Sequence, residues 1–258
     1  MTKRVTLITG ASSGIGAELA RIFASNGAST VLVARREDRL QQLADEIADA
    51  GHPRPKILAC DLCAPDVCEK ITAWLKTMNV EVETVVNNAG YGLFGEAIEL
   101  DRAQQLAMVD LNVRVLTDLT LRFADSIIRN RGGILNVASI ASFLPGPRMA
   151  VYYATKAYVL SFTEAMRGEL GPKGVRVTAL CPGTVPTEFQ GVAGFKPGLD
   201  SAVLNLSATA VARAGYRGLM SNKRLVLPGV GVRMIPFLLR FAPRSLVLAS
   251  VARVQQKR

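Results

Sequence analysis

Histidine is nearly absent from this chain. His52 stands alone, between Gly51 and Pro53, in what reads as a surface loop. A Ser-His-Asp or Cys-His mechanism would rest entirely on that residue, and nothing around it resembles such a site. Cysteine is scarce as well. Three of the four fall in "CDLCAPDVC" as Cys60, Cys63 and Cys68, and the fourth is Cys181. A structural zinc site needs four ligands, normally as two spaced pairs, and the second pair is missing, so ordinary thiols and no metal are expected. No apolar run reaches the roughly 18 residues of a spanning helix. The opening "MTKRVTLITG" is too short in apolar residues for a signal peptide and runs straight into a glycine-rich loop. Cytoplasmic residence and reduced thiols are the expectation. Acid is missing from residues 201–258, which hold ten lysines and arginines and account for the whole formal charge of +10.

What is present alternates in a regular way. "VTLIT" (5–9), "TVLVA" (30–34), "KILA" (56–59), "TVVN" (84–87), "GILNVAS" and "VRVTALC" read as buried strands, with "RLVLPG" as a last short one. Between them lie helical patterns. One runs from about Gly14 to Ser25, and another places Leu40, Leu43, Ala44 and Ile47 on one face. A third surrounds "CEKITAWLKTM", and a long one spans about Arg102 to Arg129 with Leu116, Leu119, Phe123 and Ile127 as its stripe. The segment "YYATK" opens a further helix. Fully apolar strands alternating with helices predict a parallel, doubly wound α/β sheet of Rossmann type, covered on both faces. No repeat, linker or low-complexity tract divides the chain, so 1–258 is read as one domain.

The first strand runs into "TGASSGIG". Glycine at 10, 14 and 16 permits a tight turn and close approach of a pyrophosphate to the N–H groups at a helix start. This is the physics of dinucleotide binding, in strand–loop–helix context. The spacing is T-G-x-x-x-G-x-G. With it come "NNAG" (87–90), Asn112 on the long helix, Ser139 at the end of the fifth strand, "YYATK", and "PG" (182–183) with Thr187 shortly after. In this order the sequence resembles the short-chain dehydrogenase/reductase family over about residues 1–230.

The strand "VLVARRED" decides between cofactors. An acid at its end would bind the ribose 2′-OH of NAD, and arginine suits the 2′-phosphate of NADP. Ala34 occupies the place of the acid and Arg35 and Arg36 follow, so NADP(H) is expected ahead of NAD(H). Glu37 and Asp38 supply negative charge to the first turn of the next helix. The resemblance implies that Gly10, Ser12, Ser13, Gly14, Ile15 and Gly16 cradle the cofactor. By the same resemblance Asp61 would meet the adenine and Asn88 the adenosine ribose side, with Ala89 and Gly90 beside it. Pro182, Gly183, Val185 and Thr187 would lie at the nicotinamide end, Thr187 binding its amide.

Tyr152 and Lys156 are one helical turn apart and share a face. A free phenol is too weak an acid for efficient proton transfer at neutral pH, and a nearby ammonium favours its ionised form. The resemblance implies that Tyr152 exchanges a proton with a carbonyl or alcohol oxygen. Lys156 would assist it and hold the nicotinamide ribose, Ser139 would position the substrate oxygen, and Asn112 would support a proton relay. Ser142 is a rival to Ser139 at the wrong spacing.

Residues 184–200 form the expected substrate-covering loop, apolar at Val185, Phe189, Val192 and Phe195. A hydrophobic ketone, aldehyde or 3-oxoacyl substrate suits it. Residues 230–258 form a basic apolar tail of two short helices broken near Pro243. It could pack on the domain, lie on an anionic membrane surface, or meet a partner. Nucleic acid is not an expected partner, because its arginines interleave with aliphatics and no binding motif appears. The resemblance adds a homodimer or homotetramer. A non-catalytic cofactor-binding protein that associates through its tail is the alternative function, and a cofactor-retaining epimerase or dehydratase a further one.

Overall fold

A computed structural model of the chain describes residues 2–193 and 206–256. Its strands are β1 (Lys3–Thr9), β2 (Thr30–Ala34), β3 (Lys56–Ala59), β4 (Val80–Asn87), β5 (Gly133–Val137), β6 (Arg176–Leu180) and β7 (Leu225–Val226). They form one sheet in the order β3-β2-β1-β4-β5-β6-β7, with every pair parallel. The helices are α1 (Gly14–Ser25), α2 (Glu37–Asp49), α3 (Val67–Thr77), α4 (Arg102–Val109), α5 (Leu116–Arg122) and α6 (Ala124–Arg129). Then follow α7 (Ala150–Leu170), α8 (Glu188–Ala193), α9 (Ala208–Met220), α10 (Val230–Leu239) and α11 (Arg244–Gln256). The doubly wound α/β sheet expected from the sequence is the fold observed.

Strand alternation builds two cores from one sheet. Leu7, Val33, Val85, Ile134 and Val177 point to one face, where α3, α5, α6 and α7 contribute Ile71, Leu119, Ile127 and Met166. Their neighbours Ile8, Leu32, Val86 and Leu135 point to the other, against Leu19 and Phe23 of α1, Leu43 of α2 and Val211 of α9. Side chains two apart share a face, so a continuous apolar run serves both layers. Fully burying each such side chain contributes about 1.5–3 kcal/mol.

Two elements differ from expectation. β4 starts at Val80, four residues before the apolar run, because Val80 and Val82 also face the core while Glu81 and Glu83 look outward. The long helix predicted over 102–129 is not continuous. A π-helical turn, Asp110–Val115, separates α4 from α5, and Phe123 separates α5 from α6 with φ −100° and ψ 4°. The stripe Leu116, Leu119, Phe123, Ile127 is nevertheless buried throughout. One turn of wider helix shifts the phase upstream of that stripe without breaking it.

The tail packs by one side only. Val232 of α10 is buried. On α11, Gln255 is 1% exposed, and its Nε2 donates to the Tyr153 hydroxyl at 3.0 Å. Arg148 Nη1 donates to the Gln255 carbonyl at 3.3 Å. The expected break near Pro243 falls between α10 and α11.

Candidate active site

Because every strand is parallel, their C-terminal ends share one edge, and strand order reverses there between β1 and β4. A cleft of about 760 Å³ opens along this edge. It is the topological switch point at which open α/β sheets bind ligands. Of the residues expected to form the site, all line it except Gly16 and Asn112, which lie beneath.

The glycine loop is shaped by crowding. Gly10 and Gly14 have φ of +65° and +56°, a region that costs other residues strain. A Cβ on Gly16 would come within 2.3 Å of the Gly10 carbonyl oxygen and 2.5 Å of Asn88 Nδ2, so α1 starts pressed against the loop. No acidic residue stands in the first turn of α1, which leaves its positive end uncompensated toward the cleft. Together these features fit a dinucleotide pyrophosphate.

Asn88 is a fastener as well as a wall. Its Nδ2 donates to the carbonyls of Thr9 at 3.0 Å and Gly10 at 3.1 Å. Thr9 Oγ1 accepts from the backbone N–H of Asn88 and of Ala89. The ends of β1 and β4 are thereby locked, and both Asn88 amide hydrogens are spent. The neighbouring Asn87 is buried instead in a chain across the sheet. It donates to Thr120 Oγ1 and Asn136 Oδ1, both at 2.9 Å, and Asn136 donates to Thr163 Oγ1 at 2.9 Å.

At the end of β2, Arg35 and Arg36 are exposed at the cleft, and Glu37 and Asp38 open α2 as expected. Arg36 is already engaged. Its Nη2 donates to Ser12 Oγ and Ser13 Oγ at 3.1 Å each and to Glu188 Oε2 at 2.7 Å. The Glu188 carboxylate holds the guanidinium charge more firmly, and Arg36 holds the carboxyl below its usual range. Glu188 was not foreseen; it is the one acid at the start of an otherwise apolar loop. Thr187 packs its Cγ2 where a Gly14 Cβ would be, at 3.1 Å. Asp61, after β3, accepts from the Cys63 N–H at 3.0 Å and lines the cleft.

The tyrosine end is built on α7. Tyr152 and Lys156 are 8% and 5% exposed. Lys156 Nζ lies 5.9 Å from the Tyr152 ring centre and donates to the Val137 carbonyl at 2.9 Å. Ser139, two residues past β5, caps the 3-10 turn Ile140–Phe143 by accepting from the Ala141 N–H at 3.1 Å, and it stands beside Tyr152. Burial pushes the Tyr152 phenol above its ordinary range, and the neighbouring Ser139 side chain partly offsets this. Burial lowers Lys156 to about 8. In the protein alone, desolvation is the largest influence on both groups. Ser142 donates to the Lys156 carbonyl at 2.7 Å and stays a structural fastener of α7.

Asn112 sits in the π-helical turn, 1% exposed. Its Nδ2 donates to the Tyr91 carbonyl and to Thr155 Oγ1, and its Oδ1 accepts from the Tyr91 N–H. A Cβ on Gly90 would meet Asn112 Oδ1 at 2.8 Å and Lys156 Nζ at 3.4 Å, so these two groups flank the same glycine.

Beyond Tyr152 the lining is apolar. Leu93, Met149 and Phe189 contribute, the Phe189 ring centre lying 5.5 Å from that of Tyr152. Tyr91, Leu93 and Met149 were missed by sequence reasoning, because they lie in loops with no periodicity. Of the loop 184–200, Val185 and Phe189 line the cleft. The Val192 side chain and Phe195 lie outside the described residues.

Residues 4–194 match the short chain dehydrogenase family. Sulfoacetaldehyde reductase 2 of Chromohalobacter salexigens is 37% identical over 188 residues, covering 72% of this chain and 74% of that protein. A short-chain dehydrogenase from Sphingobium yanoikuyae, solved in complex with NADPH, superposes with a TM-score of 0.81 at 30% identity, covering 95% of this chain and 94% of that one. The bulky-bulky ketone specific alcohol dehydrogenase from Comamonas testosteroni gives 0.78 at 27% identity, covering 95% and 94%. These relatives make the protein an oxidoreductase of the kind that uses a nicotinamide dinucleotide and acts on an alcohol/carbonyl pair. The chain belongs to the short-chain dehydrogenase/reductase family.

Proposed function

We propose that this enzyme uses NADP(H) to interconvert a hydrophobic ketone or aldehyde and its alcohol, chiefly as a reductase. The observation that carries the reading is one cleft that joins exposed Arg35 and Arg36, the glycine cradle, and buried Tyr152 and Lys156 with half-buried Ser139. Arg35 and Arg36 would hold the 2′-phosphate, and Ser12, Ser13 and the start of α1 the phosphates further in. When bound, the dinucleotide supplies the hydride, or accepts it in the reverse direction.

The chain's own groups handle the proton. Ser139 Oγ fixes the substrate oxygen beside Tyr152. The phenol of Tyr152 gives its proton to that oxygen in reduction and takes it back in oxidation. Lys156 holds the nicotinamide ribose and favours phenolate whenever it is protonated, and Asn112 links it toward solvent in a relay. The apolar wall of Leu93, Met149 and Phe189 excludes water and selects apolar substituents.

A sulfonated aldehyde suits the cleft less well. Among the described lining residues, the basic side chains are Arg35, Arg36 and Lys156, and in this reading the dinucleotide engages all three. A 3-oxoacyl substrate, also apolar, is the other class this wall would admit. The exposed Leu106, Val109, Leu121 and Tyr158 on α4, α5 and α7 support assembly of the enzyme as a homodimer or homotetramer.

The proton assignment has a signed pH dependence. Oxidation needs the phenolate and reduction the phenol, so alcohol oxidation rises with pH while ketone reduction falls through the same ionisation. A lysine charge lowers that ionisation, so Lys156→Met moves the oxidation limb to higher pH. Initial rates in both directions across a pH series, for native protein and variant, test this. An oxidation limb that stays put or moves lower in Lys156→Met removes Lys156 from the role.

A further inference from the structure

The outer side of the tail reverses the logic of the core. Along α10 and just past its end, Val230, Met234, Phe237, Leu238 and Phe241 recur at helical spacing. They are 78%, 46%, 54%, 56% and 76% exposed, whereas Val232 is buried against the domain. Phe237 and Phe241 touch edge to face, with ring centres 5.5 Å apart, so they form one projecting aromatic pair. Leu246, Leu248 and Val254 extend the exposed apolar surface along α11. Scattered exposed leucines are ordinary, but a stripe of this kind marks an interaction surface.

Charge says what the stripe meets. Arg240, Arg244 and Arg253 stand exposed among these residues, and no carboxylate pairs with them among the described residues. No acid occurs anywhere from 201 to 258. A two-fold contact with a second copy would bring the same arginines together with nothing to neutralise them. No helix among the described residues is long and apolar enough to cross a membrane.

We propose that α10 and the start of α11 lie in the interface of an anionic bilayer, with Phe237, Leu238 and Phe241 entering the acyl boundary and Arg240 and Arg244 at the phosphates. Short amphipathic helices with aromatic and basic residues bind this way, and arginine stems can lie along the apolar boundary while their heads stay wet. The far end of α11 holds Tyr153, which lines the cleft next to Tyr152, so a docked tail places the site mouth near the bilayer. An apolar substrate would then arrive from the lipid.

The test is sedimentation of the full chain with vesicles of phosphatidylcholine alone, or of equal parts phosphatidylcholine and phosphatidylglycerol, at low and high salt. Two double variants, Phe237→Ser/Phe241→Ser and Arg240→Glu/Arg244→Glu, alter exposed side chains only, and NADPH binding reports that their fold is kept. Native protein is expected to pellet with the anionic vesicles at low salt. Partitioning should fall by at least about tenfold with neutral vesicles, at high salt, or in either variant, since each basic residue near such a surface contributes on the order of fivefold. Failure of the native protein to bind anionic vesicles overturns the proposal, as does binding that neither variant weakens. A concentration-dependent dimer that both variants abolish, without vesicle binding, assigns the surface to a second copy instead.

Discussion

Tyr152→Phe is expected to lower turnover by at least about a hundredfold while leaving NADPH binding and thermal stability near native values. A general acid contributes about 10²–10⁴-fold, so losing one costs about 2.7 kcal/mol or more of transition-state stabilisation. The phenol is the acid that the geometry puts in place. It is buried, beside Ser139, with Lys156 Nζ 5.9 Å from its ring centre. Phenylalanine keeps the ring contact with Phe189, so packing survives the change. Tyr153→Phe is the internal control. That hydroxyl accepts from Gln255 on α11, so its loss should loosen the tail more than it slows the reaction. Steady-state kinetics with NADPH at fixed pH, alongside cofactor titration, separates the two. Comparable turnover in native protein and Tyr152→Phe would remove Tyr152 from the mechanism.

Removing both arginines at the end of β2 is expected to abolish a preference for NADPH over NADH. Hydrogen bonds to a charged group contribute about 1.5–3 kcal/mol each, so losing two of them in Arg35→Ala/Arg36→Ala should weaken NADPH binding by roughly a hundredfold to ten-thousandfold and change NADH binding little. Glu188 sharpens this prediction. In the protein alone it holds Arg36 at 2.7 Å, and a 2′-phosphate would have to share or displace that contact. Glu188→Gln should therefore bind NADPH more tightly than native protein, with NADH almost unaffected. The magnitude is modest, because both partners are about half exposed and such pairs are screened. Fluorescence titrations of both cofactors against the three proteins decide it. Tighter binding of NADH than NADPH by the native protein contradicts the assignment of these arginines.

The parts of this structure that were legible in the sequence are those governed by short-range rules. Apolar runs such as "TVLVA" became β2 because a parallel strand buries both faces, and α1 begins at Gly14 because the glycine loop ends there. The Tyr152–Lys156 pair was readable because four residues make one helical turn. What was not legible depends on contacts between distant segments. Asn112 stands in a π-helical turn, and no local composition marks a turn of that kind. Asn87, Thr120, Asn136 and Thr163 join four elements in one buried chain, and each looks like an isolated polar residue in its own segment. The Arg36–Glu188 ion pair spans 152 positions, so the arginine could be read as a phosphate ligand but its present partner could not. The tail was ambiguous for a related reason. Its pattern suited packing or a surface, and the fold uses Val232 and Gln255 for one while leaving Phe237 and Phe241 outside.

The central claim is that the cleft reduces an apolar carbonyl with NADPH, and the most direct measurement is NADPH consumption across a panel of ketones, aldehydes and 3-oxoacyl thioesters. The account predicts turnover that matches alcohol formed mole for mole. It should be fastest with bulky apolar ketones or aldehydes, slower with NADH, and lost in Tyr152→Phe. Tight NADPH binding with no turnover on any member of the panel would contradict the account and favour a non-catalytic cofactor-binding protein.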